Sequence, residues 1–401
     1  MNLDNLNFTN IEESKLTVSY PFQYDREKVL RISSENIVKL NPDYLSDFLP
    51  YTKNNFFGKY HLELDVNGKI KKEKPAQVTL PCVIENNSVN TIQFFKDNKI
   101  KTPIVEIEKI EIFFFEKDIA ILTISYVLPK NLNDVEYLYY HTKLSTLAKR
   151  GKQNLKTSND QEFKYYYEFI DNLTSIYTNE SINIFTRSNM YSYNLLVAQH
   201  CTESSNARTF LEPLTQYREK LDEFSVAKIN ANYIEQTSNM NTVANENVVV
   251  HVGIKRNDAD NNFIGSEFFN KYNNNHFLTY IITIYQVSKL EQLINKAFLK
   301  EIDSQDLENM REVKSEMLHF ISNGNFTKIS NNSIRNNLYK FYRKSIDLKD
   351  MLEEVNTISE KITNKLEIIQ NQESEKRETM INYLLGFIGI VLSVIGIVIS
   401  L

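Results

Sequence analysis

The period of the hydrophobic positions changes along this chain. Up to about residue 130 apolar residues come in short runs, several of them alternating with polar ones, which is the signature of strands. Lys15–Tyr20, Tyr60–Val66, Val78–Ile84 and Thr91–Phe95 are runs of β-forming residues between Asn, Gly and Pro punctuation. Ile104–Phe115 and Ile119–Leu128 flank Glu116, Lys117 and Asp118, the pattern of a hairpin. In its first arm Val105, Ile107, Ile110, Ile112 and Phe114 are apolar, while Glu106, Glu108 and Glu111 are charged. The alternation is imperfect but predicts one buried and one wet face. Pro81 and Pro103 offer no N–H to a ladder and place their segments at edges or starts.

Helical spacing follows. Asn133 and Asp134 cap a predicted helix that runs to Lys149 and stops at Gly151. Lys152–Asp160 is polar and reads as a loop, and Glu162–Tyr177, Asn189–Gln199 and Arg208–Asn232 read as helices. Val248–Ile254 is a late strand, and the Asn- and Asp-rich stretch Arg256–Asn275 reads as a loop. From His276 the pattern is helical almost to the end, over His276–Lys300 and Gln305–Ser322, with a break at Asn323, Gly324 and Asn325. A last helix starts near Asn331 or Lys344. In its polar part Leu348, Leu352, Val355, Ser359, Ile362, Leu366 and Ile369 step by four and three, and all but Ser359 are apolar. Such a seam suits packing on the chain's own helices and self-association equally well. The expected fold class is an α+β domain (residues 1–275), a long-helix bundle and stalk (276–380) and a single transmembrane helix (381–401).

The last 21 residues, 381–401, carry no charge. As a helix they extend about 30 Å, the thickness of a bilayer core. The N-terminus has neither the basic nor the apolar region of a signal peptide. Lys376 and Arg377 precede the apolar run. The expectation is a tail-anchored, single-pass protein of the cell membrane with its first 380 residues in the cytoplasm. Within the run, Gly386, Gly389, Ser393, Gly396 and Ser400 are spaced three, four, three and four, and the spacing extends back to Asn382 and Thr379. Small residues on one face let helices approach closely in lipid. Two anchors packed through the stripe fit this pattern. So do several around an axis, with Thr379, Asn382 and the small positions lining a narrow path.

Charge and candidate chemistry narrow the function. The net charge is −5, from 46 Lys+Arg against 51 Asp+Glu, with no basic block, so direct nucleic-acid binding is not expected. Cys82 and Cys201 are the two cysteines, too few for a disulfide framework. None of the six histidines lies within a helical turn of another, and zinc-protease, serine-hydrolase and phosphate-loop motifs are absent. Asp258, Asp260 and Asn262 begin like a calcium loop, but Phe263 and Phe269 stand where Gly and Glu are needed. No enzyme and no bound cofactor are expected, and the sequence assigns no metal ligands.

The last third resembles the CorA-like family of bacterial membrane proteins. The likeness covers about residues 276–400. It rests on Phe326-Thr327-x-Ile329-Ser330, on Leu338-Tyr339, on Leu352-Glu353-Glu354-Val355 in a helix running into the apolar segment, and on Tyr280, Ile281 and Tyr285 in the earlier helix. The resemblance implies a homo-oligomer, usually a pentamer, with the last polar helix as stalk and its continuation lining a cation path. It also implies a sensing domain for a divalent cation, a nucleotide or another small signalling ligand. The Gly-Met-Asn signature and second membrane helix of that family are not in this sequence. A reduced membrane part of this design implies a gated, poorly selective pore, of the kind found among membrane effectors of antiphage defence. The alternative is a membrane-tethered binding or scaffold protein with an inert anchor.

Overall fold

The hairpin expected between Ile104 and Leu128 forms the middle of a mixed sheet. The structure, a computed structural model, describes residues 11–31, 45–57, 82–86, 88–96, 100–115, 118–145, 154–178, 190–199, 232–237, 239–255, 264, 267–302 and 307–400. Among them eleven strands form one sheet: β1 (Ile11–Gln23), β2 (Cys82–Glu85), β3 (Thr91–Lys96), β4 (Ile100–Phe114), β5 (Ile119–Val127), β6 (Leu155–Thr157), β7 (Glu162–Phe163), β8 (Tyr191–Gln199), β9 (Asn232–Thr237), β10 (Met240–Ala244) and β11 (Val248–Lys255). The order is β7-β6-β3-β4-β5-β1-β8-β11-β10-β9, with β2 also on β4. Only β8 and β11 pair in parallel among these neighbours. The fold is α+β.

The imperfect alternation in β4 has a physical cause. Its register against β5 slips between Ile107 and Lys109, so one extra residue is inserted there. A bulge shifts the side-chain parity, and the apolar positions pass from odd to even numbers across it. Asp118 closes the hairpin with a φ of 68°, a conformation that Asp tolerates. Pro103 lies inside β4 rather than at its start. It falls where the β3–β4 register is interrupted, so its missing N–H breaks no regular pair.

Several expectations are corrected. Asn189–Gln199 is not a helix but the central strand β8, held by β1 on one side and β11 on the other. Its apolar run, Leu195–Ala198, is covered on both faces, and the period of such a run does not distinguish it from a buried helix. Lys152–Asp160 contains β6, which pairs with β3. The helix expected over Glu162–Tyr177 starts later, as α4 (Tyr166–Thr174) below, because Glu162 and Phe163 are taken into β7. Within the Arg256–Asn275 stretch, Phe268–Asn270 is a helical turn and Lys271–His276 is π-helix. The expected segments at Tyr60–Val66, Gly151 and Arg208–Ala231, together with Cys201, Asp258, Asp260 and Asn262, lie outside the described residues.

Helices cover both faces. α1 (Arg26–Leu30) and α2 (Pro50–Phe56) are short, and α3 (Asp134–Ser145) and α4 (Tyr166–Thr174) lie on one face. α3 starts with a capping box: the Asn133 side chain accepts from the Glu136 N–H at 2.8 Å, and the Glu136 carboxylate accepts from the Asn133 N–H at 3.0 Å. On that face Leu16, Val18, Ile124, Tyr126, Leu196 and Val250 pack with Tyr137, Leu144, Phe169 and Leu173. The other face is more polar. There Tyr193 and His251 meet Phe277 and Tyr280 of α5 (Phe277–Ile302) and Tyr342 of α7 (Ser333–Ser345). A second compact unit comprises Leu290–Asn325 and Asp350–Leu401. It contains the end of α5, α6 (Leu307–Asn323) and nearly all of α8 (Leu348–Ser400). Met310, Val313, Met317 and Phe320 form the buried stripe of α6, and Lys296 of α5 pairs with Glu316 at 3.0 Å. The last expected helix is thus two. α7 ends at Ser345, and Asp347 (φ 52°) makes the turn into α8.

Candidate functional site

α8 is 53 residues long and changes character along its length. Of the seam, Leu348, Leu352, Val355 and Ser359 are buried, whereas Ile362, Leu366 and Ile369 are half-buried. Ile358, Ile362, Lys361 and Lys365 line a small hollow with Ala297 and Phe298 of α5 and Met310 and Val313 of α6. This part of the seam therefore faces the chain's own helices. From Asn371 to Ile395 every residue is exposed. Tyr383, Phe387, Ile390 and Leu392 are each more than 60% exposed. Leu348–Ile395 is the one helix among the described residues long and apolar enough to cross a membrane, and its apolar window is not buried by the chain.

The small-residue stripe runs along this exposed part. Thr379, Asn382, Gly386, Gly389 and Ser393 are all helical, and at about 100° per residue their spacing puts them on one face. A Cβ at Gly386 or Gly389 would meet nothing within 4 Å. The Thr379 hydroxyl donates to the Glu375 carbonyl at 2.7 Å, and the Ser393 hydroxyl to the Gly389 carbonyl at 2.8 Å. Both side chains are satisfied by their own helix and need no water. Gly396 and Ser400 continue the helix.

A second candidate lies in the unit that carries the sheet. The N-terminus of α7, strands β9 and β10 and the π-helical turn enclose a cavity of about 610 Å³. Asn332 caps α7, accepting from the N–H groups of Ile334 and Arg335 at 2.9 and 3.2 Å. That cap points Arg335 inward, where its side chain is only 1% exposed. Its Nη2 is 3.6 Å from the carboxylate of half-exposed Asp47, and its guanidinium lies 4.3 Å from the centre of the Phe48 ring. Nε and Nη1 meet no acceptor among the described residues. Burial lowers the pKa of the guanidinium from its ordinary value, and Asp47 opposes that shift.

Other polar atoms on the wall are likewise unmatched. They are Nδ1 of His276, Oδ1 of Asn275 and Nε2 of Gln236. The Tyr272 hydroxyl donates to Gln236 Oε1, which turns the amide nitrogen away from that bond. Burial, helped by the nearby Arg335 charge, pushes His276 down to about 3, so its ring is neutral at physiological pH. Ile234, Met240, Ile264 and Leu338 supply apolar wall. Neither Arg335 nor His276 stands out in the sequence, and the Asn-rich stretch that reads as a loop is the turn that delivers Tyr272, Asn275 and His276.

The remaining buried ionisable groups are structural. His251 has Thr242 Oγ1 at 2.6 Å from Nδ1 and Tyr342 Oη at 3.0 Å from Nε2. Cys82 is free, and burial pushes its thiol up to about 12, far from a reactive thiolate. Among the described residues no three His, Cys, Asp or Glu gather where a metal could sit. No family model matches this chain, and no curated protein matches it. The likeness to CorA-like proteins therefore rests on the sequence features alone.

Proposed function

We propose that this protein is a single-pass membrane protein that self-associates through the small-residue face of α8 and forms, when assembled, an ion-permeable path. One observation carries the reading. Met380–Ile395 exposes large apolar side chains, while Gly386, Gly389 and Ser393 share one face with open space above the two glycines. Lipid suits the large side chains, and close helix approach suits that face. Lys376 and Arg377, next to the apolar window, support a cytoplasmic sheet-bearing unit. The half-buried Leu366 and Ile369 extend the contact into a stalk. Thr379 and Asn382 form polar rings at the mouth. The resemblance to CorA-like proteins supports a homo-oligomer of this design.

A second reading is a membrane-tethered binding protein whose anchor only localises it, and the cavity at Arg335 favours it. Conductance of the full-length protein in planar bilayers separates the two. Discrete current steps that disappear in the double variant Gly389→Leu/Ser393→Leu are the expected result. Absence of current from a protein that is also monomeric in detergent would leave the tethered binding module.

A further inference from the structure

We propose that the cavity between the N-terminus of α7, β9, β10 and the π-helical turn is a binding site for a small organic anion, whose phosphate or carboxylate group sits on Arg335. The inference goes beyond the reading of α8, because the site lies wholly within the sheet-bearing unit. Arg335 is a permanent cation, 99% buried by its side-chain exposure, with one carboxylate at 3.6 Å from Nη2 and no acceptor for Nε or Nη1 among the described residues. A buried guanidinium left in this state lacks the hydrogen bonds that such a charge demands. An oxyanion entering the cavity supplies them with the short, charge-assisted geometry that guanidinium groups favour. The helix adds to the attraction, since Arg335 stands in the first turn of a 13-residue helix whose positive end faces the same space.

The rest of the wall defines the body of the ligand. Gln236 Nε2 and neutral His276 offer polar contacts, and Asn275 Oδ1 offers an acceptor. Ile234, Met240 and Leu338 are apolar. About 610 Å³ is in the range of sites for ligands of nucleotide or drug size. An anionic head with a flat or apolar body that also carries a hydrogen-bond donor matches this set. Free inorganic phosphate fills only a corner of it.

The test is binding to the full-length protein in detergent, by thermal shift and calorimetry, using matched pairs of probes. Adenosine 5′-monophosphate is compared with adenosine, and benzoate with benzamide. The expected result is that an anionic member stabilises the protein and its neutral partner does not. The phosphate probe alone, or the carboxylate probe alone, then identifies the head group. Arg335→Met is expected to weaken that binding by about tenfold or more. Ile234→Trp fills the cavity without touching the cation and is expected to abolish binding, so the proposal stays testable if Arg335→Met does not fold. No stabilisation by either anion at millimolar concentration overturns the proposal. Binding that survives unchanged in Ile234→Trp, or in a folded Arg335→Met, overturns it as well. Current through a bilayer plays no part in this readout, so its outcome is independent of the pore reading.

Discussion

Tyr193 and Tyr383 are the same residue in opposite surroundings. Tyr193 is fully buried among His251, Phe277 and Tyr280, and its hydroxyl donates to the Tyr272 carbonyl at 2.9 Å. Tyr383 is 76% exposed on a helix whose neighbouring side chains are equally bare. The sheet-bearing unit makes its own interior and buries polar groups in it, some paired, as at His251, and some without a partner among the described residues, as at Nε of Arg335. The exposed half of α8 makes no interior, yet its hydroxyls are satisfied by its own backbone at Thr379 and Ser393. Both regions are fitted for a low dielectric. One builds that medium from its own side chains, whereas the other is a helix long and apolar enough to cross a membrane.

Acid should separate the two regions most. His141, His251 and His276 are all buried, and burial pushes His141 and His276 down to about 3 and lowers His251 as well. They stay neutral in the folded unit and take up protons in the unfolded chain below the ordinary value of 6.5. Stability is therefore full above pH 6.5 and falls as pH drops toward 3. The expected slope is about 1.4 kcal/mol per pH unit for each histidine, or roughly 4 for the three together. Denaturant titrations at stepped pH measure it, and His251→Gln should flatten the curve.

Truncation comes next. Tyr193→Ala is expected to cost about 3–5 kcal/mol. Leu385→Ala, in the exposed helix, should leave unfolding of the sheet-bearing unit within about 0.5 kcal/mol. A smaller contrast uses two glycines. A Cβ at Gly253 would lie 2.9 Å from Ile264 Cγ2, so Gly253→Ala should cost about 1–3 kcal/mol. Gly386→Ala meets open space and should cost nothing measurable in the same melt. The smallest effect is expected at Lys130, paired with Glu13 at 3.3 Å but 73% exposed. Lys130→Ala should change stability by less than about 0.5 kcal/mol.

The sequence displayed some of this and concealed the rest for definite reasons. The β4–β5 hairpin, the strand at Val248–Ile254, the helices from His276 to Ser322 and the apolar helix were legible because period and punctuation agree there. β8 was not, since its apolar run, Leu195–Ala198, is buried on both faces and too short to show a diagnostic period. β9 and β10 were missed because NYIEQT and MNTVA mix polar and apolar residues, and pairing rather than composition makes them strands. The cavity was invisible for another reason. Gln236, His276 and Arg335 are separated by 40 and 59 residues, and only the fold brings them to one wall. The seam at Leu348–Ile369 was legible as a seam. Its partner was not, because spacing records an apolar face without recording what covers it.

The claim that one region of this chain is dissolved in lipid is tested most directly by alkaline carbonate extraction of membranes from cells expressing the full-length protein. Integral proteins stay with the membrane pellet, and peripheral or soluble ones are released. The account predicts that the wild type stays in the pellet, and that Leu385→Arg/Val391→Arg, which puts two charges into the apolar window, moves it to the supernatant. Wild-type protein released quantitatively by carbonate, or a double-arginine variant retained as firmly as the wild type, would contradict it.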